Sequence, residues 1–330
     1  MLDSLGWNAH FAEKFKHIAP SGTPARVLAD YGADYLVHDG AAVQRAPARH
    51  VDPAVGDWVV LDGGEIRGIV ERRTLFARRA AGDENRRQVL AANVDVAFVI
   101  AAATDVNVRR LERYMTMAWQ SGAAPVVVLT KTDLVDRPEE FAVSAPVIAT
   151  SSVTGEGVEA IELELQPAKT GVLLGPSGVG KSTLINTILG SPLLRTREIH
   201  VSSGQGRHMT SHRQLVQLPG GGMIIDTPGL REAQLWEGDD ALGAVFEDIE
   251  ALALNCRFTD CAHDTEPGCA IKAALADGTL DPRRLHSYRK LRRELRTIAA
   301  RSDARLRIDE RRKWKHIAIA NRARGRYLRR

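Results

Sequence analysis

GVLLGPSGVGKSTLINTIL, residues 171–189, decides how the centre of this chain folds. Gly171–Leu174 is a short apolar run of the kind a fully buried strand shows. Gly175-Pro176-Ser177-Gly178-Val179-Gly180-Lys181-Ser182-Thr183 follows and fits G-x-x-x-x-G-K-[ST]. Lys181–Leu189 then has helical spacing. Strand, glycine-rich loop and helix in that succession form the context in which the motif cradles phosphate. The glycines let backbone N–H groups turn inward around phosphate oxygens, and the helix N-terminus adds a favourable dipole. Lys181 is in reach of the β- and γ-phosphates, and the Ser182 hydroxyl is a ligand for Mg²⁺. A chance glycine-rich turn would lack the flanking strand and helix.

The flanks of this stretch alternate. VDVAFVIAAA reads as a buried strand and VRRLERYMTMAWQSG as a helix with Val108, Leu111, Met115 and Ala118 on one face. PVVVLT and PVIATS are further strands. Strands alternating with helices predict a parallel sheet covered on both faces. QLVQL, Pro219-Gly-Gly-Gly222 and MIID predict an antiparallel hairpin at the sheet's edge. Upstream, residues 25–82 carry short strand-like runs with Gly63-Gly64 between two of them, which predicts a small antiparallel barrel. Tyr31, Tyr35 and Trp58 would be core there, with base stacking as the alternative. Residues 1–24 read as a loosely held leader. Residues 240–330 read as helical, with Leu285, Tyr288, Leu291, Leu295 and Ile298 on one stripe.

Composition excludes several classes. The 330 residues are 44% hydrophobic and 26% charged, which is globular rather than disordered. The best apolar run, Val94–Ala103, is far short of a membrane span and contains Asp95. The N-terminus lacks a signal-peptide pattern. Three cysteines rule out a disulfide scaffold, so the expected compartment is the cytoplasm. The net charge of +4 is unevenly spread. Residues 283–330 hold 19 Lys/Arg against 4 Asp/Glu, and residues 1–282 hold 26 against 37. A basic tail on an acidic body predicts an anionic partner, with a solvated charged helix as the alternative.

All three cysteines lie in the pattern Cys256-x4-Cys261-x-His263-x5-Cys269. Three thiolates and one imidazole satisfy tetrahedral Zn²⁺ and leave no position open to water, so the site would be structural. The alternative is three ordinary cytosolic thiols.

Thr130-Lys131-Thr132-Asp133 resembles the guanine-specifying [N/T]-K-x-D motif, in which the Asp accepts from guanine N1–H and the exocyclic amine. Taken alone, a solvated turn explains four such residues as well. Thr150-Ser151-Ser152 resembles the loop that backs the guanine with a backbone N–H, and Asp226-Thr-Pro-Gly229 resembles D-x-x-G. There the Asp holds Mg²⁺ through water and the Gly N–H meets the γ-phosphate. Thr210 is the candidate second hydroxyl on Mg²⁺, with Ser211 competing. The order is informative: the base motifs precede the phosphate loop. A parallel sheet can be opened at one loop and rejoined at its old ends without changing the pocket.

The chain thus resembles the RsgA (YjeQ) family of circularly permuted bacterial GTPases. The resemblance spans nearly the whole sequence. It implies a multi-domain fold: an N-terminal OB-type β-barrel, a central α/β circularly permuted P-loop GTPase over residues 86–235, and a C-terminal, mostly helical zinc-binding module over residues 240–330. It implies hydrolysis of GTP to GDP and phosphate, one Zn²⁺ on the four ligands above, and Mg²⁺ with GTP. Its implied partners are the 30S ribosomal subunit and 16S rRNA, with no membrane and a monomeric state. The segment that senses the γ-phosphate would run straight into the C-terminal module. Leu230 stands where many GTPases carry a water-orienting Gln, and His208 matches the family's proposed substitute. Met209 departs from the Thr usual beside that His. The competing reading is a nucleotide-dependent metabolic enzyme with a zinc-stabilised lid.

Overall fold

The computed structural model describes residues 1–18, 21–32, 34–80, 83–136, 143–190, 213–226, 235, 240–264 and 266–298. The chain divides into two compact units, residues 1–234 and 235–330.

In the first unit five strands form a ring: β1 (Thr23–Asp30), β2 (Asp34–His38), β3 (Val43–Pro47), β4 (Trp58–Asp62) and β5 (Glu65–Ile69). β1 pairs antiparallel with β2 and β4, β2 with β3, and β4 with β5. A parallel bridge between Ala48 and Ile66 brings the far ends together. Gly63 and Gly64, at φ 58° and 79°, make the β4–β5 turn, a conformation only glycine adopts without strain. Val27, Val37, Ala46, Val59 and Ile66 fill the ring. Tyr35 and Trp58 are buried, whereas Tyr31 is 39% exposed with the Arg45 guanidinium 4.9 Å from its ring centre.

The first residues are not a loose leader. Helix α1 (Ala9–Ile18) puts Phe11 and Phe15 one turn apart on a single face, and both are buried. Trp7 meets Trp58 edge-on at 4.7 Å and Phe15 at 5.8 Å. An aromatic cluster therefore fastens α1 to the barrel.

A hairpin of β6 (Leu75–Ala80) and β7 (Asp83–Ala92) leads into a mostly parallel region. Its members are β8 (Val96–Ala102), β9 (Ala124–Thr130), β10 (Val147–Ala149), β11 (Thr170–Leu174), β12 (Arg213–Gln217) and β13 (Met223–Asp226). The parallel order is β10-β9-β8-β11-β13, with β12 antiparallel to β13. Helices α2 (Val108–Ser121), α3 (Val158–Glu164) and α4 (Lys181–Leu189) follow strands, as predicted. β8, β9 and β11 are buried almost throughout, which explains their unbroken apolar runs. Asn107 caps α2 by accepting from Arg110 N–H, and Gly122 ends it in the left-handed region.

The expected position of the 213–226 hairpin needs correction. β12 is not an edge: it pairs on its other side with β1, so one eleven-stranded sheet runs from the parallel strands into the barrel. The edge signal failed because the strand covering it lies far away in sequence.

The second unit contains α5 (Asp240–Val245), α6 (Glu247–Ala253), α7 (Ala270–Ala276) and α8 (residues 282–298). Leu285, Tyr288, Leu291 and Leu295 form a buried stripe on α8, as their spacing predicts.

Candidate functional site

The phosphate loop takes its shape from its glycines. Gly175, Gly178 and Gly180 stand at φ 155°, 79° and 100°. A Cβ on Gly175 would lie 2.7 Å from the Ile100 carbonyl oxygen, so no other residue fits between β8 and the loop. α4 begins at Lys181, directly after the loop, and its first N–H groups face the loop's mouth. Lys181 Nζ arches back over the loop, 2.8 Å from the Gly175 oxygen and 2.5 Å from that of Pro176.

The base motif closes on this loop across about fifty residues of sequence. Thr130, at the end of β9 and 2% exposed, donates its hydroxyl to the Val179 carbonyl at 2.6 Å. Lys131 takes a left-handed conformation (φ 60°) and donates from Nζ to the Gly178 carbonyl at 3.1 Å. Holding those two carbonyls outward turns the N–H groups of the same trans peptides, Val179 and Gly180, the opposite way. The Thr130 proton is thereby committed to the loop. Ser151 Oγ donates to Asp133 Oδ1 at 2.6 Å and fixes the carboxylate. The Ser151 N–H is itself spent on the Glu156 carbonyl at 3.0 Å, and Ser152 offers its carbonyl to Thr187 Oγ1 at 3.4 Å.

Asp226 ends β13 at the carboxyl edge of the parallel strands, where ligands bind in open α/β sheets. Val172 of β11 lies opposite Ile225, so one step further Asp226 flanks the strand that feeds the phosphate loop. A cleft of about 250 Å³ beside the loop is lined by Asp105, Arg110, Tyr114, Lys131 and Pro176–Val179, and reaches neither Asp133 nor Lys181. His208, Met209, Thr210, Ser211, Gly229 and Leu230 lie outside the described residues.

In the second unit the ligand atoms of Cys256, Cys261, His263 and Cys269 all fall within 4.8 Å of one another. Cys256 Sγ is 3.5 Å from His263 Nδ1 and 3.9 Å from Cys269 Sγ, and Cys269 Sγ is 3.6 Å from the same nitrogen. Zn–S bonds of about 2.3 Å and a Zn–N bond of about 2.0 Å in a tetrahedron put ligand atoms roughly 3.5–3.8 Å apart. The four residues therefore fit Zn²⁺. Burial, then the cationic Arg292 and Arg289, lowers the His263 pKa and favours the neutral imidazole that a ligand must be. Arg289 also donates to the His263 carbonyl at 2.5 Å, holding the residue's left-handed backbone (φ 62°). Burial pushes Cys261 up to about 11, and the neighbouring Cys269 and Cys256 add to the rise. At Cys256 burial is outweighed by backbone bonds from Ala270 and Ile271, which lower its pKa.

Two arginines carry no sign of their role in the sequence. Arg26, 2% exposed on the face of β1 opposite the barrel core, donates to the carbonyls of Gly56 (3.1 Å), Asn93 (3.2 Å) and Leu5, and to Thr170 Oγ1 (2.9 Å). Burial lowers its pKa to about 10, with Asp95 and Asp57 opposing the fall, so it stays charged at neutral pH. It ties the barrel to the start of β11, whose other end carries the phosphate loop. Arg213 opens β12, with Asp30 of the barrel 3.7 Å away. Neither has a local sequence signal beyond a cation within a strand-like run.

The family model described as RsgA GTPase matches residues 69–236. The chain is 44% identical to the Small ribosomal subunit biogenesis GTPase RsgA of Opitutus terrae over 98% of both chains. It is 43% identical to the protein of that name from Streptomyces avermitilis over 98% of this chain and 93% of that one. Among solved structures, YjeQ from Thermotoga maritima aligns with TM-score 0.62 at 24% identity, covering 83% of this chain and 98% of that one. YloQ, described as a circularly permuted GTPase, aligns with TM-score 0.61 at 23% identity, covering 85% and 97%. These two show the fold, that of a circularly permuted GTPase.

Proposed function

Because the chain belongs to the RsgA GTPase family, we propose that it is a GTP-hydrolysing switch acting in late assembly of the small ribosomal subunit. One observation supports the reading at this site: Thr130 and Lys131 hold the carbonyls of Val179 and Gly178, so the base motif lies directly against the phosphate loop despite their swapped order.

Asp133, aimed by Ser151, reads the guanine edge, and Lys131 lies over the base. With the Ser151 N–H occupied, the N–H of Ser152 is the one left to face the base. Thr130 and Thr132 shape the base loop, and residues 175–183 hold the phosphates. Lys181 and the inward N–H groups stabilise charge on the β- and γ-phosphate oxygens as water attacks the γ-phosphorus in line and GDP leaves. His208 orients that water, and the Gly229 N–H meets the γ-phosphate. Ser182, Asp226 and Thr210 or Ser211 would hold Mg²⁺, which supplies further charge neutralisation when bound. Cys256, Cys261, His263 and Cys269 would hold one structural Zn²⁺.

The ring order β1-β2-β3-β5-β4 supports an OB-type barrel, and the exposed Tyr31–Arg45 pair gives it a stacking surface for 16S rRNA. The basic residues of 283–330 would add phosphate contacts that weaken steeply with salt. Thiol ligands are kept reduced in a reducing compartment, which supports a cytoplasmic factor. No helix among the described residues is long and apolar enough to cross a membrane.

The test is turnover of GTP and of ATP with and without purified 30S particles. Stimulation of GTP hydrolysis alone is the expected result. Equal use of ATP, or turnover that needs a small-molecule acceptor and ignores 30S, would favour the metabolic enzyme. Asp133→Asn presents a donor where guanine offers donors, so GDP affinity should fall by about 10²-fold. Xanthosine diphosphate, with an acceptor at that edge, should then bind better than GDP in a competition assay.

A further inference from the structure

The junction of β1 with β12 sits close to the metal side of the nucleotide site. Asp226 of β13 lies opposite Gln214, Gln214 opposite Ala29, and Ala29 opposite Leu36. The barrel's first strand is therefore two strand spacings, about 10 Å, from the backbone of Asp226. The next row runs from Arg213 to Asp30 to Tyr35.

Among the described residues two pairs join β1 to β12, Ala29–Gln214 and Asp30–Arg213. Register matters at this junction, since a one-residue slip would turn every β12 side chain to the other face. Side-chain contacts hold that register. Arg213 Nη1 lies 3.7 Å from Asp30 Oδ2 and donates to the Val89 carbonyl of β7 at 3.0 Å. The side chains are only 15% and 23% exposed, so the pair is screened less than a surface one. One arginine thus binds the strand leading to Asp226 to two strands from the N-terminal part of the chain.

We propose that Arg213 and Asp30 are positioning residues for Asp226: by fixing the register of β12 against β1 they set where the β13 carboxylate stands relative to Mg²⁺, and through them the barrel acts on hydrolysis. The proposal rests on the reading of Asp226 as the magnesium-side carboxylate. Arg213 governs the strand beside the one that ends in the ligand. Any partner that moves β1 moves the same row, and a metal-bound nucleotide that orders Asp226 must favour partner binding by an equal factor.

The experiment uses the full, zinc-loaded chain. The Mg²⁺ concentration for half-maximal GTP turnover is measured for the parent, Arg213→Gln, Asp30→Asn, and the exchange Asp30→Arg with Arg213→Asp. Affinity for a fluorescent GDP without added magnesium is measured alongside. Each single variant should raise the half-maximal Mg²⁺ by about fivefold or more, the lower end of coupling between linked sites. GDP affinity without magnesium should stay within about twofold of the parent, since that binding does not use the metal. The exchange should return the Mg²⁺ requirement toward the parent value. An unchanged Mg²⁺ requirement in turnover-competent single variants overturns the proposal. So does a matching loss of magnesium-free GDP affinity, which marks general damage to the pocket. A parent chain that binds GDP and hydrolyses GTP without regard to Mg²⁺ sinks the reading of Asp226 instead.

Discussion

The sheet around the phosphate loop and the loop around the cysteines are held by different physics. In the sheet Phe98, Ile100, Val126, Val128, Leu173, Leu184, Ile185 and Ile224 form one buried cluster, contributed by strands and a helix whose apolar periods agree. Between Leu254 and Gly268 only His263 is buried among the described residues, and no helix or strand occurs. Apolar burial at roughly 25 cal/mol per Å² orders the first. The second has almost nothing apolar to bury, so the proposed zinc on its four clustered side chains would set its geometry. Structural Zn²⁺ in such segments contributes about 10–16 kcal/mol of folding free energy. Chelation should therefore have the largest effect of any treatment. Amide exchange should accelerate through residues 254–269 while β8, β9 and β11 stay protected, and elemental analysis should first show one zinc per chain. Simultaneous loss of both regions, or of neither, would break the comparison.

The reverse perturbation comes next in size. Phe98→Ala removes a fully buried ring from the sheet cluster and should cost about 3–5 kcal/mol. Thermal unfolding followed through the first unit should move to lower temperature, while zinc content remains one per chain. Loss of the metal together with the sheet would mean that the units fold as one.

Arg26→Met sharpens the contrast, since it tests whether the sheet side is as purely apolar as its pattern suggests. The guanidinium satisfies the Gly56 and Asn93 carbonyls and Thr170 Oγ1. Removing it strands the Asn93 carbonyl and Thr170 Oγ1 at about 1–3 kcal/mol each, while the Gly56 carbonyl keeps its bond from Asn93 Nδ2. A net cost of about 3 kcal/mol in denaturant unfolding is expected, below the sum because the buried charge is itself expensive. A neutral or stabilising result would show that the desolvation cost outweighs the bonds.

What was legible in the sequence follows the same line. The phosphate loop, its strand and α4 could be read because apolar period, glycine and motif coincide within nineteen residues. The clustering of Cys256, Cys261, His263 and Cys269 could be read because three thiols and an imidazole seldom crowd into fourteen residues without a metal to bind. The β1–β12 pairing could not, since nothing local distinguishes a covered edge from a free one. Arg26 in RVLAD has the pattern of a strand's wet face, and only the ring of carbonyls around it shows otherwise. Ser151 was visible as part of a loop, but its hydroxyl bond to Asp133 was not, since eighteen residues separate the two. Phe11 and Phe15 carry a helical spacing, but two residues one turn apart are too brief a period to stand out beside the strand-like runs that follow.

The smallest effect lies outside both the metal and the apolar core, within the second unit. Arg284 donates to both carboxylate oxygens of Asp248, at 2.5 and 2.7 Å, and to the Val245 carbonyl at 3.0 Å, fastening α8 to α6. Burial raises the Asp248 pKa, but the Arg284 bonds outweigh it and hold the folded value below the ordinary 3.8. A carboxylate depressed on folding stabilises above its unfolded pKa, and that stability is lost as pH falls through the folded one. The Asp248 side chain is 44% exposed, so screening keeps the contribution under about 1 kcal/mol. Asp248→Asn should therefore lower the second unit's stability slightly at pH 7. The gap between parent and variant should narrow only below about pH 4. If the gap persisted unchanged at still lower pH, shape complementarity between α6 and α8, rather than charge, would be what the carboxylate provides.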